Sequence, residues 1–218
     1  MSSPATRVAL IHALPQSVDP VNAEFDRTWP QCMRMNLLDD SLSTDLARSG
    51  GALDDAMTRR FMTLAQYAVD TGAQAILFSC SAFGPCIDAV ARRWPDIPVL
   101  KPGEAMIADA VRIGRRIALV ASFPPTLASM PAEFPTGVEV IPTLASGALE
   151  ALASGDTARH DQAVADAAKT AVENGCDVVA LAQFSIARAA PLVKQTAGVP
   201  VLTTVASAVA ALRSRLAG

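Results

Sequence analysis

A thiol flanked by two hydroxyls, Ser79-Cys80-Ser81, follows directly on the apolar run 75–78. A cysteine so placed can carry a proton or attack an electrophile, and its thiolate fraction sets how well it does either. The next residues, Ala82-Phe83-Gly84-Pro85, open a segment of helical spacing. Proline in a first helical turn forfeits no hydrogen bond. The unpaired N–H groups and positive dipole end of that helix are expected to lower the Cys80 pKa from the free value of about 8.5. Those N–H groups, the stretch around Ala82 and the Ser79 and Ser81 hydroxyls offer a cradle for a carboxylate or a developing enolate. A free cysteine is also a small hydrophobe, so packing is the competing reading.

The stretch has a counterpart. Gly72-Ala-Gln-Ala-Ile-Leu-Phe-Ser-Cys80 lines up without a gap on Gly175-Cys-Asp-Val-Val-Ala-Leu-Ala-Gln183. Ile97-Pro-Val-Leu100 answers Val199-Pro-Val-Leu202, and Arg7-Val-Ala-Leu-Ile11 answers Arg116-Ile-Ala-Leu-Val120. Self-similarity in the same order points to two similar lobes. It places the end of the Cys80 strand opposite the end of the Gln183 strand across a cleft, with a thiol on one side and an amide on the other. An amide donates and accepts hydrogen bonds but is neither acid nor base. Gln183 therefore orients substrate or satisfies loop backbone, and Phe184 and Ser185 share its loop.

Ser122 and Thr126, in Ala121-Ser-Phe-Pro-Pro-Thr126, either meet a carboxylate or cap the next helix. His12, at the end of the first strand, and Asp39-Asp40, after the second, are candidates for a further proton-transfer group. A structural histidine and a turn are the plainer readings of the two. Pro15 and Gln16, in the loop after His12, and Thr204, after the last strand, complete the candidate substrate contacts. Cys86 falls in the first turn of the helix after Cys80, whereas Cys32 and Cys176 begin strands at the opposite end. All three read as packing.

The elements that must position these residues alternate between two kinds. Short apolar runs rich in Val, Ile and Leu fall at 8–13, 33–38, 75–79, 98–100, 117–121, 138–141, 178–182 and 200–203. They read as strands buried on both faces of a parallel sheet. Ala-rich segments with apolar residues at helical spacing lie at 54–71, 87–94, 103–113, 156–174 and 205–216, and Thr71-Gly72 and Asn174-Gly175 read as helix stops. The pattern predicts an α/β fold of two similar lobes related by pseudo-twofold symmetry, each a doubly wound four-stranded parallel sheet flanked by helices. The lobes are expected at 1–101, with the C-terminal helix 205–218 packing on it, and at 102–204. Ligands of such sheets sit at the carboxyl ends of the strands, where strand order reverses.

Composition narrows the function. The 218 residues are 51% hydrophobic and 18% charged, ample for a packed core, and the net charge of -3 leaves no basic footprint for nucleic acid or an anionic membrane. No apolar run is long enough to span a bilayer. Met1–Arg7 lacks the basic-then-apolar layout of a signal peptide, so a cytoplasmic protein with four free thiols is expected. There is no C-x-x-C pair for a metal and no glycine-rich phosphate cradle, which disfavours nucleotide cofactors.

Together the duplicated lobes, the segment Phe78-Ser-Cys-Ser-Ala-Phe83, the segment 119–126 and the closing Val199-Pro-Val-Leu-Thr-Thr204 resemble the aspartate/glutamate/hydantoin racemase superfamily. That superfamily also holds maleate isomerase and arylmalonate decarboxylase, and the resemblance spans essentially the whole chain. It implies cofactor-independent chemistry in which two cysteines serve opposite faces of the substrate. Cys80 matches the first family cysteine, and Gln183 stands where the second belongs. The resemblance thus implies an isomerase or racemase acting on a small carboxylate or amino acid through an enolate, with Cys80 and Gln183 at its centre. Ser81, Ser122, Thr126 and Thr204 would grip carboxylate oxygens. The alternatives are a single-cysteine decarboxylase or lyase, and a carboxylate-binding module without turnover. A homodimer is common among similar proteins.

Overall fold

Eight short apolar runs pair as parallel strands in the computed structural model, which describes residues 6–217. The stretch before residue 6, on which the expectation about a signal layout rests, lies outside the described residues. One sheet holds β1 (Arg7–His12), β2 (Met33–Leu38), β3 (Ala75–Phe78) and β4 (Val99–Leu100) in the order β2-β1-β3-β4. The other holds β5 (Arg116–Ala121), β6 (Glu139–Leu144), β7 (Val178–Leu181) and β8 (Val201–Thr203) in the order β6-β5-β7-β8. The chain divides into two units. The first runs through Pro102 and includes the carboxy-terminal stretch from Ala208, and the second is Gly103–Ser207.

The repeat extends to single hydrogen bonds. Ser79 N donates to Ile11 O at 3.0 Å, as Ala182 N does to Val120 O at 2.9 Å. Ile76 N donates to Pro98 O at 2.8 Å, as Val179 N does to Pro200 O at 2.9 Å. The central strands β3 and β7 are buried throughout, which explains their unbroken apolar runs. Strand β6 runs on through Pro142, past the expected end at 141. As an edge strand it has no neighbour on its outer side, so the missing N–H goes unused.

In the first unit, α3 (Asp55–Asp70) buries Met57, Phe61, Ala65 and Ala68 as one helical stripe, and α4 (Gly84–Arg93) buries Cys86, Ile87 and Val90. Both stripes join the sheet face that carries Ala9, Ile11, Ile76 and Phe78. Phe61 stacks on Phe78 with centroids 5.3 Å apart. Residues of alternate parity (Val8, Leu10, Leu77) are buried on the opposite face. Helix α1 (Val18–Thr28) touches β2 through an Asn22–Asn36 contact.

In the second unit, α8 (Thr157–Glu173) buries Val164, Ala165 and Ala168 against Ala118, Val120, Val179 and Leu181. Helix α5 (Glu104–Ile113) buries Met106, Ile107 and Ala110 against Ile117, Leu119, Val178 and Ala180 on the other face. Asp54 caps α3 by accepting from Met57 N, and Asp156 caps α8 by accepting from Arg159 N. Both helices stop at a glycine in the left-handed region, Gly72 at φ 85° and Gly175 at φ 92°.

Five helices were not among the expected segments: α1, α2 (Ser41–Arg48), α6 (Pro124–Ser129), α7 (Ala148–Ala153) and α9 (Ala190–Ala197). The tenth helix, α10, covers Thr204–Ala217. Among the described residues, no helix is long and apolar enough to cross a membrane.

Candidate active site

Strand order reverses between β1 and β3 in the first unit, and the carboxyl ends of strands at such a reversal are where sheets of this kind take their ligands. There the chain places His12 and Ser79-Cys80. Cys80 is the only half-exposed member of the four free cysteines, because Cys32, Cys86 and Cys176 are all buried. Its side chain follows Ile76 and Phe78 onto the α3/α4 face. It borders an apolar niche, too tight for a water molecule, lined also by Ile11, His12, Ala13, Leu42, Phe61 and Phe78.

This packing corrects one expectation. Burial pushes the Cys80 thiol above its ordinary pKa, and the hydrogen bond from the Ala82 N–H offsets only part of that rise. A short 3₁₀ turn, Ser81–Phe83, separates the sulfur from the start of α4, so Cys80 caps that turn and does not face the open end of a long helix. The resting group is a thiol and therefore a proton donor.

On the other sheet face, His12 is buried, with Nδ1 2.9 Å from Ser79 Oγ and Nε2 3.0 Å from Asn36 Oδ1. Burial lowers its pKa against the weaker opposing effect of Asn36, so the ring is neutral at neutral pH. Asn36 was missed from the sequence. Its signal is register: Leu10 pairs with Asn36 and His12 with Leu38, which puts Asn36 on the His12 face.

Asp39 joins none of these groups. Burial raises its pKa, but the Ser41 hydroxyl and Arg60 outweigh that and hold the carboxylate ionised. Arg60 Nη2 lies 2.6 Å from Asp39 and Nη1 2.7 Å from Asp45, so the cluster is an ion-pair network beside α2. Asp40 occupies the exposed cap position of α2. Pro15 and Gln16 lie exposed in the turn after β1, Ala82 is exposed, and Ser81 is half-buried.

In the second unit the position of Cys80 belongs to Gln183, and that of Ala13 to Ser122. Gln183 Oε1 accepts from Ser122 N at 2.7 Å and from Ser122 Oγ at 3.1 Å. The carbonyl end of the amide is thus held by protein, leaving the NH₂ end as the group it can present. Thr126 is buried inside α6, whose cap position is Phe123, so the expected capping role fails. Phe184 is buried and Ser185 half-buried. Thr204 is fully buried with its hydroxyl unpartnered, while the neighbouring Thr203 hydroxyl accepts from Ala206 N at 3.0 Å. Among the described residues, no three His, Cys, Asp or Glu side chains gather to hold a metal ion.

A repeated, doubly wound α/β scaffold with a half-exposed cysteine at the strand switch defines a recognisable class. A family model described as Asp/Glu/hydantoin racemase matches residues 29–212, and the chain belongs to that family. Its fold is that of an aspartate racemase homologue of Pyrococcus horikoshii OT3, with a TM-score of 0.73 at 15% identity over 98% of this chain and 100% of that one. An allantoin racemase of Klebsiella pneumoniae gives 0.72 at 16% identity, covering 97% and 88%. A mutant arylmalonate decarboxylase in its sulfate-associated form gives 0.65 at 18% identity, covering 97% and 94%. No curated protein shows significant similarity to the chain.

Proposed function

We propose that the protein is a cofactor-independent isomerase of the racemase type, in which Cys80 transfers a proton at the carbon next to a carboxylate by way of an enolate. The observation that carries this reading is that the one cysteine left partly exposed stands at the strand switch of a racemase-family fold. In this reading the Ser81 hydroxyl and the backbone N–H groups of the turn Ser81–Phe83, which follow Cys80 in the chain, stabilise the developing negative charge. The substrate this reading calls for is a small carboxylate or amino acid, since an enolate forms only at a carbon beside a carbonyl group.

A second reading is favoured by two observations. The thiol rests protonated, and the equivalent position of the second unit holds an amide whose oxygen is already engaged. A single-thiol decarboxylase needs only a donor. The carbon–carboxyl bond breaks, carbon dioxide leaves, and the enolate takes its proton from Cys80, which recovers one from water.

A panel of amino acids and substituted malonates in deuterated water, followed by NMR, separates the two. Deuterium at the α-carbon with loss of optical purity supports the racemase reading. Carbon dioxide release, or deuteration without inversion, selects the one-sided reaction. Turnover that survives Cys80→Ala, or tight carboxylate binding without turnover by the parent protein, overturns both.

A further inference from the structure

Ser79 precedes Cys80, but its side chain lies on the opposite sheet face, within a chain of hydrogen bonds whose direction can be fixed. The Val18 carbonyl can only accept, so the Asn22 atom 3.0 Å from it is the amide nitrogen Nδ2. That same nitrogen lies 3.3 Å from Asn36, whose facing atom is therefore the oxygen Oδ1. An oxygen 3.0 Å from His12 Nε2 requires the ring hydrogen to sit on Nε2. His12 is neutral, so its Nδ1 carries a bare lone pair. Ser79 Oγ, 2.9 Å from Nδ1, must then donate its proton to it. A backbone carbonyl thus sets the polarity of the whole relay.

A hydroxyl aimed at an unprotonated imidazole, which is itself held by an amide oxygen, is the arrangement that activates a serine. The second unit shows that the scaffold does not need it. The equivalent positions there are Ala182, Ala121 and Pro142, and the same strands form with the same register and backbone bonds. Ser79 stands at the carboxyl end of β3, where this kind of sheet presents its reactive groups, and 7% of its surface remains exposed.

We propose that Ser79 is a nucleophile activated by His12 and Asn36, forming a second reactive site that takes small acyl or phosphonyl electrophiles. With a fluorophosphonate, the Ser79 Oγ–phosphorus bond forms, the phosphorus–fluorine bond breaks, fluoride leaves, and the hydroxyl proton passes to His12 Nδ1. This assignment does not depend on the role given to Cys80.

The test is incubation of the full chain with an alkyl fluorophosphonate at neutral pH, with the adduct mapped by peptide mass spectrometry. The expected result is an adduct on Ser79. General-base assistance is worth roughly 100-fold or more, so His12→Gln should slow the labelling by at least about that factor. Asn36→Ala, on the exposed edge strand, should slow it less but in the same direction. No adduct at Ser79, or an adduct on Cys80 alone, overturns the proposal, as does an unchanged rate in a folded His12→Gln. Should that variant fail to fold, Asn36→Ala decides: a slowed rate supports the relay and an unchanged rate overturns it.

Discussion

Removing the Ser122 hydroxyl should destabilise the protein by about 1 kcal/mol, but only while Gln183 is present. Two donors of Ser122 converge on Gln183 Oε1, the backbone N–H at 2.7 Å and the hydroxyl at 3.1 Å, and the residue is 5% exposed. Ser122→Ala deletes one net hydrogen bond, worth about 1 kcal/mol, and leaves the stronger N–H contact in place. Gln183→Ala deletes both and strands a buried N–H, for a total of roughly 2–4 kcal/mol. In that background the buried hydroxyl has lost its partner, so adding Ser122→Ala should cost nothing or recover up to roughly 1–3 kcal/mol, and the coupling energy of the cycle is at least about 1 kcal/mol. For a chain of this size that corresponds to roughly 2–4 °C in Tm. The assay is thermal and urea unfolding of the four proteins. Ser122→Ala/Gln183→Cys, which installs the Ala13/Cys80 pair of the first unit at the matching positions, should also fold. If Ser122→Ala costs the same with and without Gln183, the hydroxyl acts elsewhere and the idea of a compensated exchange fails.

Because burial keeps the Cys80 thiol protonated, iodoacetamide should modify it more slowly than a free thiol near neutral pH. The rate should still be rising past about pH 9, and a plateau reached by pH 8 would contradict this. His12 has a folded pKa below its ordinary 6.5, so the unfolded chain takes up the proton first as pH falls. The stability that neutral His12 contributes is therefore complete above pH 6.5 and is lost as pH drops through its folded pKa. Urea midpoints between about pH 7.5 and 4.5 should fall less steeply for His12→Gln than for the parent, and parallel curves would refute the assignment. Asp54→Ala and Asp156→Ala should each cost about 1 kcal/mol in unfolding experiments, and they should add, since the two caps share no partner.

The strands were legible because both sheet faces are covered, so every central position had to be apolar and the runs stand out. The helices α3, α5, α8 and α10 were legible from their spacing. The missed helices carry weaker signals: α6 and α7 have six residues each, α6 and α9 begin around prolines, and α1 buries only Val21 and Phe25. At the site, Cys80 and Gln183 could be found by aligning the chain with itself. What surrounds them could not, since Leu42 and Phe61 reach Cys80 from helices far away in sequence, and it is this tertiary burial that reverses the sign of the thiol's pKa shift. Asn36 was hidden for a related reason. A lone Asn in an edge strand becomes an orienting group only once the parallel register with β1 is known.

The two units hold one backbone and two sets of strand-end chemistry, and the differences come in matched groups. Ala13 with Cys80 becomes Ser122 with Gln183, and His12, Ser79 and Asn36 become Ala121, Ala182 and Pro142. Energetics explains the grouping. A buried hydroxyl or imidazole whose partner has been removed costs about 1–3 kcal/mol, whereas an entirely apolar set or a fully paired set costs little. Intermediates that change one member of a group are therefore the expensive states, and complete sets are the stable ones. The backbone is indifferent to the choice because equivalent main-chain contacts persist in both units: Ser79 N and Ala182 N donate to matching positions of β1 and β5, and Asn36 and Pro142 keep the same register. A scaffold with that property can keep a thiol and an oriented serine at one strand switch and a held amide at the other without altering its fold.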